Sequence, residues 1–433
     1  MIDDFLALDP RPLSLDFSGH LSAAIHFPYD FVDPPKRHAY SLSVVRNMFE
    51  LLRVIIFVIA ASLFIAPVVR AEGDWEITAD SEQSLERGLQ WLAATQGPDG
   101  NWTSNDLGLV SMGALAFASA GHAPGRGKYG VVLERALHYV VTNAKPSGLL
   151  NVSNPQRDMY NHGLSTFVLG QMHGMTTSAD RRLNKTLDQA LKLIANTQAE
   201  DGGWDYRAAR QSRGHDLSLA VMQAKALRSA VDSGLEVPPE VITLAIKSVR
   251  EHYAPAHGKH QAPESEQREG PGQFTYSRGG GGGTIAMAAA GVVCLQEFGQ
   301  YDDWRIEKNM EVIAAAIRQL PPPKRDGNMP FDAYTLYYVG QALYQVGGTH
   351  WQENYPRLRD YLIASQLSDM KNRETNGVWR DNGANGGGKV GGRPGELYGT
   401  SVACFILAIP NRYLPILQEG KIESLRLQYG NTK

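Results

Sequence analysis

The segment Gln198-Ala-Glu-Asp-Gly-Gly-Trp204, set between two unlike helical stretches, constrains this chain more than any other feature. Before it, Leu183, Leu187, Ala190, Leu191 and Ile194 recur at helical spacing on one face. After it, His215-Asp216 leads into Leu217 to Ala230, a run that is apolar nearly all round. A helix with one apolar stripe lies on the outside of a fold, and a helix that is apolar all round is buried. The unit is therefore an outer helix, a Gly-Trp turn and an inner helix. Gln96-Gly-Pro-Asp-Gly-Asn-Trp102 repeats the pattern of Gln, three residues, Gly, one residue, Trp, with the two Trp 102 positions apart. That interval holds two helical hairpins of roughly 50 residues. Weaker copies stand at Gly377-Val-Trp379 and at Gly272-Gln-Phe274. Glycine supplies a turn with positive φ, and Trp supplies a wide face that wedges between repeats.

Apolar runs place six inner helices, beginning near Asp106, Asn161, Asp216, Thr284, Asp332 and Tyr398. Their amphipathic partners precede them at about 81–96, 129–144, 181–198, 238–253, 306–319 and 353–366. No segment shows sustained strand alternation. Six hairpins that each bury an inner helix close into a ring, so the expected fold is all-α: an (α/α)6 toroid occupying residues 74–433 as one domain.

The repeated Gln-x3-Gly-x-Trp, the Tyr398-Gly-Thr-Ser401 entry to the last helix and the six hairpins resemble the prenyltransferase and squalene-oxidase repeat family over about Asp74 to Gly420. The resemblance implies the toroid shared by squalene and terpenoid cyclases and the β-subunits of protein prenyltransferases. Such cyclases place Asp-x-Asp-Asp at the start of an inner helix, where the central Asp protonates an alkene. The matching register here is Arg213-Gly-His-Asp216, in which only the last acid remains. The prenyltransferase zinc site needs Asp, Cys and His together, and Cys294 lies deep in a helix without a nearby Asp or His. A carboxylate-rich magnesium motif is absent from 74–433. No metal and no cofactor is expected.

The net charge of −3 comes with scattered Lys and Arg, so no nucleic-acid partner is expected. Residues 1–47 are rich in Pro and His and lack periodicity, and read as a disordered or untranslated extension. Met48 opens a leader, 48–71, with an apolar run from Val54 to Val69 and small residues around Ala71. This is the pattern of a signal peptide, and it is short for a membrane span of about 20 residues. Export to the periplasm or the outside is expected, with membrane contact only through an uncleaved leader. Cys294 and Cys404, on non-neighbouring inner helices, are expected to be buried free thiols.

Three long loops, about 254–283, 321–330 and 368–396, each join an outer helix to an inner one, and so share one end of the ring with the inner-helix N-termini. Gly279 to Gly283 are not a phosphate loop, since no Lys-Ser or Lys-Thr follows and no strand is read before them. They read as flexible lips over a cavity mouth. Asn161 reads as an N-cap, which puts His162 in the first turn, where the helix dipole favours its neutral form. At that mouth the candidate catalytic groups are Asp216, His162, His215 and Asp332. The candidate ligand-binding groups are Tyr160, Trp204, Tyr276, Arg278, Tyr334, Trp379 and Tyr398, with Asp106 and Arg380 nearby. The deeper wall reads as Ala, Gly, Leu, Val and Met, a greasy well.

A greasy well with a polar aromatic rim suits a long apolar molecule with a polar head. The leading expectation is an exported toroid that binds or transforms an isoprenoid-like ligand, as a divergent cyclase or a carrier. A non-catalytic scaffold for protein or peptide is the alternative. A glycan-active enzyme with Asp216 and Asp332 as its carboxylate pair is the third.

Overall fold

The computed structural model describes residues 75–418, apart from 103, 176–180, 257–262, 370, 371, 373 and 383–391. The chain divides into two compact units, 1–69 and 70–433, and the description below is of the second. The extension 1–47 and the leader 48–71 lie outside the described residues.

The first hairpin is α1 (Ala79–Thr95) and α2 (Leu107–Ser119), and the second is α3 (Gly130–Thr142) and α4 (Asp158–Gln171). The third is α5 (Arg181–Thr197) and α6 (Leu217–Asp232). In the fourth, α7 (Pro239–Arg250) reaches its inner partner α9 (Ile285–Glu297) through β1 (Tyr253–Pro255), α8 (Glu264–Glu269), β2 (Gly272–Ser277) and β3 (Gly281–Gly283). The fifth is α10 (Arg305–Arg318) and α11 (Ala333–Val346), and the sixth is α12 (Gly348–Ser365) and α13 (Gly392–Ala408). Each inner helix packs on the next, from α2 through α4, α6, α9 and α11 to α13, and α13 returns to α2. Outside, α12 likewise returns to α1. The fold is a closed all-α toroid of six hairpins, built by the alternation of striped and uniformly apolar helices.

The Gly-Trp turns tie the ring together. Gln96 Nε2 donates to the Gly100 carbonyl within its own turn and to Val132 on the next outer helix, at 2.9 and 2.8 Å. Gln198 does the same with Gly202 and Val241, and Gln366 with Gly377 and Ser84, which joins the last repeat to the first. Trp102, Trp204 and Trp379 each turn the indole N–H back to a carbonyl of the preceding outer helix, at 2.8–2.9 Å. All three are buried. A fourth copy has no Trp: Gly148-Leu-Leu150 makes the same turn, with Gly148 at φ +88 against the Gln189 backbone.

Several expectations need correction. The fourth-repeat loop is not a plain lip. β1, β2 and β3 form an antiparallel sheet in that order, with Tyr253 opposite Phe274 and Ser277 opposite Gly281. A strand therefore does precede the glycines, and Gly279 and Gly280 make its hairpin turn. Gly272 sits in that strand and not in a positive-φ turn, although Phe274 still wedges against Gly291. Asn161 is not an N-cap. α4 starts at Asp158, after a 3-10 turn that Pro155 opens, and α13 starts six residues before Tyr398.

The deep well is filled as well. Phe167, Tyr337, Tyr338 and Phe405 are fully buried among the inner helices. With them lies a buried ion pair, Lys225 Nζ to Glu297 Oε1 at 2.9 Å, whose ammonium stands 4.6 Å from the Phe167 ring centre.

Candidate functional site

What remains open is a chamber of about 950 Å³ at the amino ends of the inner helices. All six supply its wall: Leu109 of α2, Tyr160 and Leu164 of α4, Met222 of α6, Ile285 of α9, Tyr334 of α11 and Tyr398 of α13. It reaches no deeper than Leu164 and Met222, about one and a half turns down. Tyr276 and Phe331 from the connecting loops complete the mouth.

The polar residues of the mouth begin as helix caps. Asp106, Asp216, Thr284 and Asp332 each precede an inner helix, and each side chain accepts a first-turn amide. Asp332 also accepts from Thr335 Oγ1 at 2.8 Å. Asp106 has Arg157 Nη1 at 3.4 Å.

Asp216 is the centre of a larger cluster. Its Oδ1 accepts from the Ser218 amide at 2.9 Å and from the Ser218 hydroxyl. Its Oδ2 accepts from the Tyr206 hydroxyl at 2.5 Å and has His215 Nδ1 at 2.9 Å. Tyr160 is bonded to Ser218, and Tyr276 to Tyr206. The Asp216 side chain is 0% exposed, so these partners stand between it and any ligand. Burial first, and with it the nearby Asp216 carboxylate, push the Tyr160, Tyr206 and Tyr276 phenols up. Burial is also the first cause of the rise at Tyr334 and Tyr398. These phenols stay protonated at neutral pH and act through hydrogen bonds and ring faces.

The structure thus gathers Tyr160, Tyr276, Asp332, Tyr334 and Tyr398 around one space, with Asp216 just behind it and His215 half-exposed beside Asp216. Other candidates do not reach it. Trp204 and Trp379 are spent as wedges in the Gly-Trp turns. Arg278 is largely buried away from the chamber wall, where it pairs with Asp201 and donates to Ser248 Oγ at 2.6 Å, clamping the sheet to the Gly-Trp turn of the third hairpin. Arg380 pairs with Glu396 at 3.7 Å, outside the chamber wall.

His162 is sealed inside the ring. Its Nδ1 accepts from the Leu150 amide at 3.1 Å, which leaves Nε2 to donate to the Ala190 carbonyl at 3.0 Å. Burial holds it down to about 4, against the opposing bond to Ala190. Burial holds His252 down to about 4 as well. An unfolded histidine titrates near 6.5, so below that value the unfolded chain takes up protons that the fold refuses. The stabilisation is complete above pH ~6.5 and is lost as pH falls towards 4, by about 3 kcal/mol for each residue. Urea unfolding across this window is expected to show a steep acid-side loss that His162→Gln roughly halves. An unchanged slope in that variant would remove His162 from the account.

Tyr206 and Ser218 escaped the sequence reading. Ser218 had a faint signal, a hydroxyl two residues after an Asp that caps a helix. Tyr206 had none, since it lies in an irregular loop. Among the described residues no three His, Cys, Asp or Glu side chains converge in a way that would hold a metal ion.

No family model and no curated protein matches the sequence. Among solved structures, the chain is similar to a type II terpene cyclase, MstE from Scytonema, bound to geranylgeranyl dihydroxybenzoate. Identity is 10%, with 77% of this chain and 98% of that one covered and a TM-score of 0.46. It is also similar to an α-1,6-mannanase, GH76A of Salegentibacter sp. HEL1_6, bound to α-1,6-mannotriose. Here identity is 10%, coverage 80% and 100%, and the TM-score 0.46. At such identity and TM-scores neither likeness bears on the chemistry of the site.

Proposed function

We propose that this toroid encloses an isoprenoid-like apolar ligand in its chamber, with the ligand's polar end at the tyrosine cluster over Asp216. The observation that carries this is the wall itself. Leu109, Leu164, Met222, Ile285, Met287 and Phe331 supply an apolar body, and the hydroxyls of Tyr160, Ser218 and Tyr276 on the same wall are bonded into one cluster around Asp216. About 950 Å³ falls at the upper end of the ~300–1,000 Å³ usual for small-molecule sites. Asp216 orients the ligand through its tyrosines and does not touch it. Asp332 is engaged by the first turn of α11.

Lipid extract passed over the purified protein, followed by mass spectrometry of what is retained, tests this. The native protein is expected to hold a long-chain isoprenoid that Leu164→Trp, which fills the chamber, releases without loss of melting temperature. Retention of nothing, or equal retention by the filled variant, would overturn it.

A further inference from the structure

The hydrogen-bond partners around Asp216 dictate where each proton points. A carboxylate only accepts. Ser218 and Tyr206 must therefore both donate to Asp216. Each has one hydroxyl proton, so in the Tyr160–Ser218 and Tyr206–Tyr276 bonds the outer tyrosine is the donor. Tyr160 and Tyr276, which line the chamber, have thus spent their protons inward. What their oxygens offer a ligand is lone pairs.

The carboxylates at the wall have the same sign. Asp106 and Asp332 stand on it, and Asp216 stands behind it. Arg157 is the one cation among the described wall residues, and it lies beside Asp106. The ring faces of Tyr334, Tyr398 and Phe331 are negative at their centres. The inner-helix dipoles favour an anion at this end, but at α2, α6 and α11 the capping aspartates already answer that demand.

Building on the ligand-enclosing role proposed above, we infer that the polar end of the ligand is a hydrogen-bond donor carrying positive charge: an organic ammonium seated between Tyr160 and Tyr276. An anionic or acceptor-only head group meets lone pairs and carboxylates there and is rejected. Asp216 is a positioning residue, since it sets this polarity through Ser218 and Tyr206 without contacting the ligand.

Calorimetric titration of the full chain at pH 7 with one isoprenoid chain ended in turn by a primary ammonium, a hydroxyl, a carboxylate or a methyl group tests this. The ammonium form is expected to bind about tenfold tighter than the carboxylate form, with the alcohol between. Tyr160→Phe with Tyr276→Phe removes the two acceptor oxygens and is expected to bring the ammonium form near the methyl form. Asp216→Asn gives the cluster a donor at its centre, frees an outer hydroxyl to donate, and is expected to move preference towards the carboxylate. Equal affinities, or a carboxylate preference in the native protein, overturn the inference and leave an apolar ligand in the chamber intact. If no member of the series binds, the enclosing role fails and the inference falls with it. If Asp216→Asn does not fold, the tyrosine pair still decides.

Discussion

Gly202→Ala is expected to destabilise the fold by about 3–5 kcal/mol, read as a lowered urea midpoint. Gly202 holds φ +87, and a Cβ built on it lies 2.0 Å from the carbonyl oxygen of Leu244 on the next outer helix. The conformation alone costs an L-residue about 1–2 kcal/mol, and the backbone contact adds the rest because Leu244 belongs to a packed helix. Gly100, Gly148 and Gly377 repeat the geometry against Arg135, Gln189 and Arg87, at 2.2, 2.6 and 2.4 Å. Gly234 is the control: it holds φ +74 with nothing within 4 Å of its built Cβ, so Gly234→Ala carries only the conformational cost. Equal losses at Gly202 and Gly234 would show that the turns do not lock neighbouring outer helices.

Lys225→Met is expected to cost about 3–5 kcal/mol, because it leaves Glu297 charged and unpaired inside the ring. Both side chains are within 2% of full burial, and Glu297 also accepts from Gln345 at 2.8 Å. The double variant Lys225→Met with Glu297→Gln keeps a partner for Gln345 and removes both charges. It is expected to regain most of the loss, giving a large coupling in a double-mutant cycle. Additive losses would mean that the two charges are solvated separately and that water reaches the middle of the ring.

Much of this was legible in the chain. Gln198, Gly202 and Trp204 announced a turn, and the structure shows why the pattern repeats: each residue touches the neighbouring repeat or its own outer helix. The fourth turn, Gly148-Leu-Leu150, was illegible because leucine replaced the aromatic residue while only the backbone conformation persisted. The small sheet was hidden for a related reason. Gly281 to Gly283 have low strand propensity, and they pair through main-chain bonds to Thr275 and Ser277 that no side-chain pattern records. Tyr337 and Tyr338 illustrate another limit. Helical periodicity placed them on a buried helix but did not say that their rings would fill the ring's interior.

Local chemistry settled the elements. Stripes of apolar residues made outer helices, unbroken apolar runs made inner ones, and Asp106, Asp216, Thr284 and Asp332 marked where four of the inner helices start. Those are short-range effects, written within a few residues of one another, and they sufficed to call the toroid. The site belongs to contacts that bring distant residues together. Tyr160, Tyr206, Ser218 and Tyr276 span more than 100 positions, yet all bond around one buried carboxyl. His162 and Trp204 read as rim groups until packing turned them inward. Depth of the chamber, polarity of its hydroxyls and company of its charges arise only when the ring closes, because each is a property of which side chains share a space.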